Sequence, residues 1–140
     1  MPYNPDHDIE GPNFQTDLEY GEEGERIVQS FLAALSDGSF EVKRDRYRNG
    51  RMVVETEQSP RSEGWKASGL KTTKATWWVY LFSDDGFVIV STDRLKKFVR
   101  HNFTLDDKRL FAAGSDNPAK GYLLLEKHVQ DLLTNPEYDQ

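Results

Sequence analysis

Three carboxylates near one another in the chain, Asp45, Glu55 and Glu57, are the residues whose types and spacing are most suited to chemistry. They lie in Phe40 to Glu57, FEVKRDRYRNGRMVVETE, which reads as two short strands. Side chains alternate across a strand, so Phe40, Val42 and Arg44 share one face and Glu41, Lys43 and Asp45 the other. Asn49-Gly50 is a strong two-residue hairpin signal and predicts a turn into a second strand, where Val54 opposes Val53, Glu55 and Glu57. Such a hairpin gathers Glu41, Asp45, Glu55 and Glu57 around the Lys43 ammonium. Like charges side by side on a sheet repel, and a divalent cation among them relieves that repulsion. The chemistry implied is that of a metal ion held by carboxylate oxygens.

The elements flanking the hairpin can be read from periodicity. Residues 1–18, with Pro2, Pro5, Pro12, Gly11 and several acids, predict an extended acidic arm. From Leu18 to Leu35 the apolar residues Ile27, Phe31 and Leu35 recur four apart, with Val28 and Leu32 beside them, and Asp37-Gly38 ends the helix. Glu25 lies three residues before Val28 and seven before Leu32, so it falls on the apolar stripe and is expected to face the domain. A charge favoured by the helix macrodipole accounts equally well for Glu25, Glu22 and Glu23. Gln58 to Ser68 is a loop. Thr72 or Thr73 is then expected to cap a helix through Trp77, Trp78 and Leu81, although the same residue types also suit a strand. Asp84-Asp85-Gly86 is a turn, and the apolar run Phe87 to Val90 predicts a strand buried on both faces. Thr92 caps a helix with Leu95, Phe98, Val99 and Asn102 on one face. After a loop over residues 106–118 come a short strand, Tyr122 to Leu125, and a helix, Glu126 to Leu133. Residues 134–140 read as a polar tail, leaving 19–133 as one domain.

Composition narrows the function classes. The chain has 140 residues and a formal net charge of −6, but residues 1–25 hold eight of the 24 acids and no Lys or Arg, leaving 18 basic against 16 acidic residues. The basic residues cluster: Lys43, Arg44, Arg46, Arg48 and Arg51, then Lys66, Lys71 and Lys74, then Arg94, Lys96, Lys97 and Arg100. Interleaved with Tyr47, Trp65, Trp77 and Trp78, they suit phosphate contact and base stacking. With no cysteine there is no disulfide, thiolate metal site or cysteine nucleophile. His7, His101 and His128 lack metal-ligand spacing, and no Gly-rich phosphate loop or Gly-x-Ser-x-Gly elbow is present. The absence of a long apolar run or a signal-like start leads to the expectation of a cytoplasmic protein without a membrane partner.

Taken in order, the acid-bearing helix, Asp45, Glu55-Thr56-Glu57 and Ser68-Gly-Leu-Lys-Thr-Thr-Lys-Ala-Thr-Trp-Trp78 resemble the PD-(D/E)XK nuclease superfamily, closest to small Holliday-junction-resolvase-like or phage-encoded members. Gly21-Glu-Glu-Gly-Glu25-Arg26 is similar to the first-helix signature of resolvases, and Phe40 to Asp45 to their first core strand. The resemblance spans about residues 20–100. It implies an α/β fold with a restriction-endonuclease-like core, in which a helix, a mixed sheet with a β-hairpin and helices on both faces are combined. It implies Mg²⁺ or Mn²⁺ held by Asp45, Glu55 and Glu25, with hydrolysis of DNA phosphodiester bonds. The expected enzyme is a structure-selective endonuclease of phage or bacterial recombination, replication or repair. Symmetric cuts across a junction would call for a homodimer. Glu57 stands where the half-motif has lysine, so Lys43 or Lys74 is the expected replacement for transition-state charge, with Glu57 orienting or deprotonating the attacking water. A second registration uses Glu41-Val42-Lys43 as the half-motif. The alternative function is a nuclease-like module that has lost catalysis and binds nucleic acid or protein.

Overall fold

The computed structural model describes residues 14–140. The acidic arm therefore lies outside the described residues up to position 13. Residues 14–18 are helical rather than extended: Phe14 and Leu18 are themselves four apart, one helical turn, and Asp17 favours a first turn. The chain divides into an N-terminal unit ending at Gly38 and a second unit, Ser39–Gln140. The described part of the first is one helix, α1 (Phe14–Asp37), in which no residue is buried. Within this unit Glu25, Val28 and Leu32 are all exposed.

The second unit is mixed α/β and contains two sheets. In the first, β1 (Phe40–Arg44) runs parallel to β4 (Trp77–Leu81), and β4 pairs antiparallel with β5 (Phe87–Ser91). In the second, β2 (Met52–Gln58) lies between β3 (Lys66–Ala67) and β7 (Ala119–Leu124), and β7 also pairs with β6 (Arg109–Phe111), all antiparallel. The expected hairpin is thus corrected: β1 and β2 belong to different sheets. The strands diverge because the Asp45 carboxylate accepts the Tyr47 and Arg48 amides at 3.1 and 2.9 Å, and Asn49 Oδ1 accepts the Arg51 amide at 3.1 Å. Arg48 and Gly50 both take positive φ, so residues 45–51 form an irregular connection and not a two-residue turn. Each strand then finds an apolar partner far away in the chain: Met52 opposes Leu124 and Val54 opposes Tyr122, while Val42 opposes Val79.

The segment through Trp77 and Trp78 is a central strand, not a helix. Gly69–Lys71 forms a short 3₁₀ turn with Thr72 at its end, and Thr73 Oγ1 accepts the Ala75 amide at 3.1 Å. The Thr, Trp, Val and Tyr that follow prefer a pleated surface, and β4 satisfies its backbone on both sides while burying Trp78, Val79 and Tyr80. In β5 only Val90 is buried and Phe87 is exposed, because an edge strand covers one face and leaves the other to water.

The helices follow their apolar periodicity. In α2 (Thr92–Asn102), Leu95 and Phe98 are buried, but the N-cap is Ser91, whose Oγ accepts the Arg94 amide at 3.0 Å. Thr92 instead donates to the Ala75 carbonyl at 2.7 Å. In α3 (Glu126–Thr134) Leu132 is buried, and His128 Nδ1 accepts the Leu125 amide at 3.0 Å at the helix start. The expected polar tail folds back: Tyr138 is buried with its ring 5.5 Å from Phe98, and Arg94 binds the Leu132 and Asn135 carbonyls and Asp139. A buried aromatic and a trivalent guanidinium contact outweigh the polarity of the surrounding residues.

The core joins Met52, Val54, Leu70, Trp78, Leu95, Phe98, Tyr122, Leu124 and Leu132. Gly121 permits its closest backbone contact, since a Cβ there would stand 2.1 Å from the Val54 carbonyl oxygen. Gly121→Ala should therefore shift the urea midpoint down by an amount equivalent to about 3 kcal/mol. Gly24→Ala, whose Cβ meets nothing within 4 Å, should not lower it.

Candidate functional site

The β2 strand presents Glu55 and Glu57 on one face by burying Met52, Val54 and Thr56 on the other. A bulge between Glu55 and Glu57 leaves Thr56 as the extra residue opposite β7. The turn after β3 closes over the same face. Ser68 Oγ donates to Glu55 Oε2 at 2.8 Å, the Ser68 amide donates to the Thr56 carbonyl at 2.9 Å, and Gly69 at φ 52° sits so close that a Cβ would be 2.1 Å from the Glu55 carbonyl oxygen. Only glycine combines that φ with that approach.

Glu57 is bound by two ammonium groups. Lys108 Nζ and Lys71 Nζ both donate to its Oε1, the latter at 3.2 Å. Lys108, with Lys71 second, holds the Glu57 carboxyl below its ordinary range despite a small opposing contribution from burial. Lys108 reaches it across the sheet from the residue preceding β6.

Asp45 follows β1, where its amide donates to the Leu81 carbonyl at 2.7 Å. Its carboxylate is also a partner of the Tyr80 hydroxyl, which accepts the Val53 amide at 3.4 Å. Burial raises the Tyr80 pKa, and Asp45 adds to the shift, so this phenol stays protonated and able to donate. Tyr80 thereby links the Asp45 loop to the β2 strand bearing Glu55 and Glu57.

Asp45 also lines a cavity of about 410 Å³ together with Arg44, Arg46 and Arg48. Arg44 binds Asp84 at 2.8 Å, with Arg48 3.5 Å from the same oxygen, and Arg44, then Arg48, hold the Asp84 carboxyl below its ordinary range. Two carboxylates, Asp45 and Asp84, and three guanidiniums thus meet at this cavity, with Arg44 and Arg48 shared with Asp84 and Arg46 without a carboxylate partner among the described residues. Guanidiniums and carboxylates side by side suit a phosphate and a hard cation together.

The remaining expected site residues lie elsewhere. Lys43 stands 3.7 Å from Glu41 and over the Trp78 ring at 5.8 Å. Lys74 is exposed between the 3₁₀ turn and β4. Glu25 is on α1, in the N-terminal unit. Among the described residues no three His, Cys, Asp or Glu side chains converge as a metal-binding group. The residues that do meet the carboxylates are Ser68, Lys71, Tyr80 and Lys108. Ser68 and Lys71 carried a signal, their position in the Ser-Gly-Leu-Lys segment. Tyr80 and Lys108 carried none, since they arrive through long-range strand pairing.

No known protein family, curated protein or solved structure matches the chain. No helix among the described residues is long and apolar enough to cross a membrane.

The lowered Glu57 pKa stabilises the fold above the ordinary value of 4.5, and that stabilisation is lost as pH falls through the folded-state value. Glu57→Gln should therefore unfold at lower urea than wild type at pH 7, and the two midpoints should converge as the pH is brought below 4. A gap that stays constant as the pH is lowered from 7 through the acid range would mean that Glu57 acts through packing and not charge.

Proposed function

We propose that the chain is a divalent-metal-dependent nuclease acting on DNA, with the restriction-endonuclease-like arrangement its motif order resembles. The observation that carries the reading is the Asp45 cavity: Asp45 and Asp84 beside Arg44, Arg46 and Arg48, with Tyr80 lying between the Asp45 loop and the strand of Glu55 and Glu57. A structure-selective endonuclease of recombination, replication or repair is the form of this activity that the resemblance favours.

In this reading Asp45 and Glu55 are the oxygen donors to the cation, since Mg²⁺ is commonly held by one or two carboxylates with water and substrate phosphate supplying the rest. Glu57 does not fit as a ligand, because Lys71 and Lys108 already neutralise it. Glu25 enters the proposal on the resemblance alone. Bound metal would lower the pKa of a coordinated water and polarise the phosphate.

The chain's own residues do the rest. Arg44, Arg46 and Arg48 position phosphate oxygens by charge-assisted hydrogen bonds. The Tyr47 and Arg48 amides hold the Asp45 carboxylate in place, with the protonated Tyr80 hydroxyl beside it. Glu57, ionised and of lowered basicity, is a poor proton acceptor at neutral pH, so its part is to orient Lys71 and Lys108 and any water they touch. Those two lysines take the place in this reading that Lys43 and Lys74 hold in the sequence-based expectation.

The second reading, a nuclease-like module that binds nucleic acid without cutting, is favoured by one observation: Lys71 and Lys108 saturate Glu57. Labelled linear duplex, single-stranded and four-way-junction DNA incubated with Mg²⁺ or Mn²⁺ separate the two. Wild type should cut at least one substrate, and Asp45→Asn and Glu55→Ala should each slow cleavage by about 100-fold or more. Binding by all three proteins with cleavage by none would replace the enzyme with the binding module.

A further inference from the structure

A second cavity, of about 260 Å³, opens between the Gly69–Lys71 turn, α2 and the loop preceding β6. Its walls are apolar: Leu70 and Tyr122 are buried core residues and Val99 packs against that core. Four cations line it, Lys71, Lys96, Arg100 and Lys108. Lys71 and Lys108 share Glu57, whereas Lys96 and Arg100 have no carboxylate within ion-pairing distance among the described residues. These two are four residues apart on α2, so their charges sit one above the other on one face and repel. Asp107, near the Tyr122 hydroxyl of the wall, is engaged locally, where its Oδ2 accepts the Thr104 amide at 2.8 Å.

Four cations to one ion-paired carboxylate leave the mouth of this apolar-walled cavity net positive. Ammonium groups and a guanidinium spread around one opening suit an anion with several oxygens and more than one negative charge, which a carboxylate does not offer. The apolar walls suit a flat body attached to it. The volume lies below the usual range for drug-sized ligands, which limits that body to about one nucleoside.

We propose that this cavity binds a nucleoside phosphate monoester, its phosphate held by Lys96 and Arg100 with Lys71 and Lys108, and its base or sugar against Leu70, Val99 and Tyr122. A free mononucleotide and the 5′-phosphorylated end of a strand present the same chemistry. The site stands on its own geometry and does not depend on DNA cleavage.

The test is isothermal titration of the full chain with thymidine 5′-monophosphate, thymidine and inorganic phosphate, beside fluorescence anisotropy with 5′-phosphorylated and 5′-hydroxyl oligonucleotides. Wild type should bind the monophosphate at least about 10-fold more tightly than either thymidine or phosphate, more weakly as salt rises. Lys96→Gln with Arg100→Gln, with an unchanged circular dichroism spectrum, should lose that preference. Tighter binding of the 5′-phosphorylated strand than of the mononucleotide identifies the strand end as ligand, and the reverse identifies the free nucleotide. Asp45→Asn should bind the monophosphate as wild type does, which separates failure here from failure of the nuclease reading. Equal binding of phosphate and thymidine 5′-monophosphate, or equal binding by wild type and the double variant, would overturn the proposal.

Discussion

The pairing of β2 with β7 is the interaction on which the Ser39–Gln140 unit depends. Along one face of β2 it sets Met52 against Leu124 and Val54 against Tyr122, burying side chains in the centre of the core. Along the other it leaves Glu55 and Glu57 where Ser68, Lys71 and Lys108 can reach them. β6 depends on the same ladder, since it is paired to β7, and Lys108 immediately precedes it. Burying one face and keeping charge on the other are therefore two results of a single register. A slip of one residue would exchange them.

Around that ladder the cations divide into two groups with different surroundings. The guanidiniums of Arg44, Arg46 and Arg48 border an open cavity beside Asp45 and Asp84, where they are partly neutralised. The cations of the smaller cavity rest on apolar side chains and are offset by Glu57 alone. A third basic contact, Lys120 over the Trp65 ring at 4.1 Å, is of the cation–π kind, in which a ring face takes the place of a counter-ion. The overall negative charge of the chain conceals all of this, because much of it lies in the first 25 residues.

What the sequence made legible is what local periodicity determines. Leu95, Phe98 and Val99 mark α2, Val129 and Leu132 mark α3, and the alternation in Met52 to Glu57 assigns Glu55 and Glu57 to the face away from Val54. Asn49-Gly50 misled because a hairpin signal reports only the turn, while Asp45 and Asn49 captured the amides on either side and sent the strands to separate partners. The parallel register of β1 with β4 has no local signature. β4 itself was ambiguous, since a threonine pair before Trp-Trp-Val-Tyr suits a cap or a strand, and only two flanking partners decide it. Lys71 is absent from the sequence-based candidates, Lys43 and Lys74, because the tight turn that brings it to Glu57 depends on Gly69 meeting the Glu55 carbonyl.

The burial of Tyr138 bears on how the unit is made. Phe98 is shielded by Tyr138, and Arg94 is tied to carbonyls on either side of the last helical turn, so residues near the end of the chain complete contacts begun by α2. β2 likewise waits for β7, with Thr56 bonded to Lys120 across 64 positions of sequence. A chain emerging from the ribosome N-terminus first would expose Met52, Trp78 and Phe98 until almost the whole unit had been synthesised. Assembly is then a late, cooperative event with slow non-local closure, and the nascent segment from β2 to α2 is the stretch most in need of protection by a chaperone.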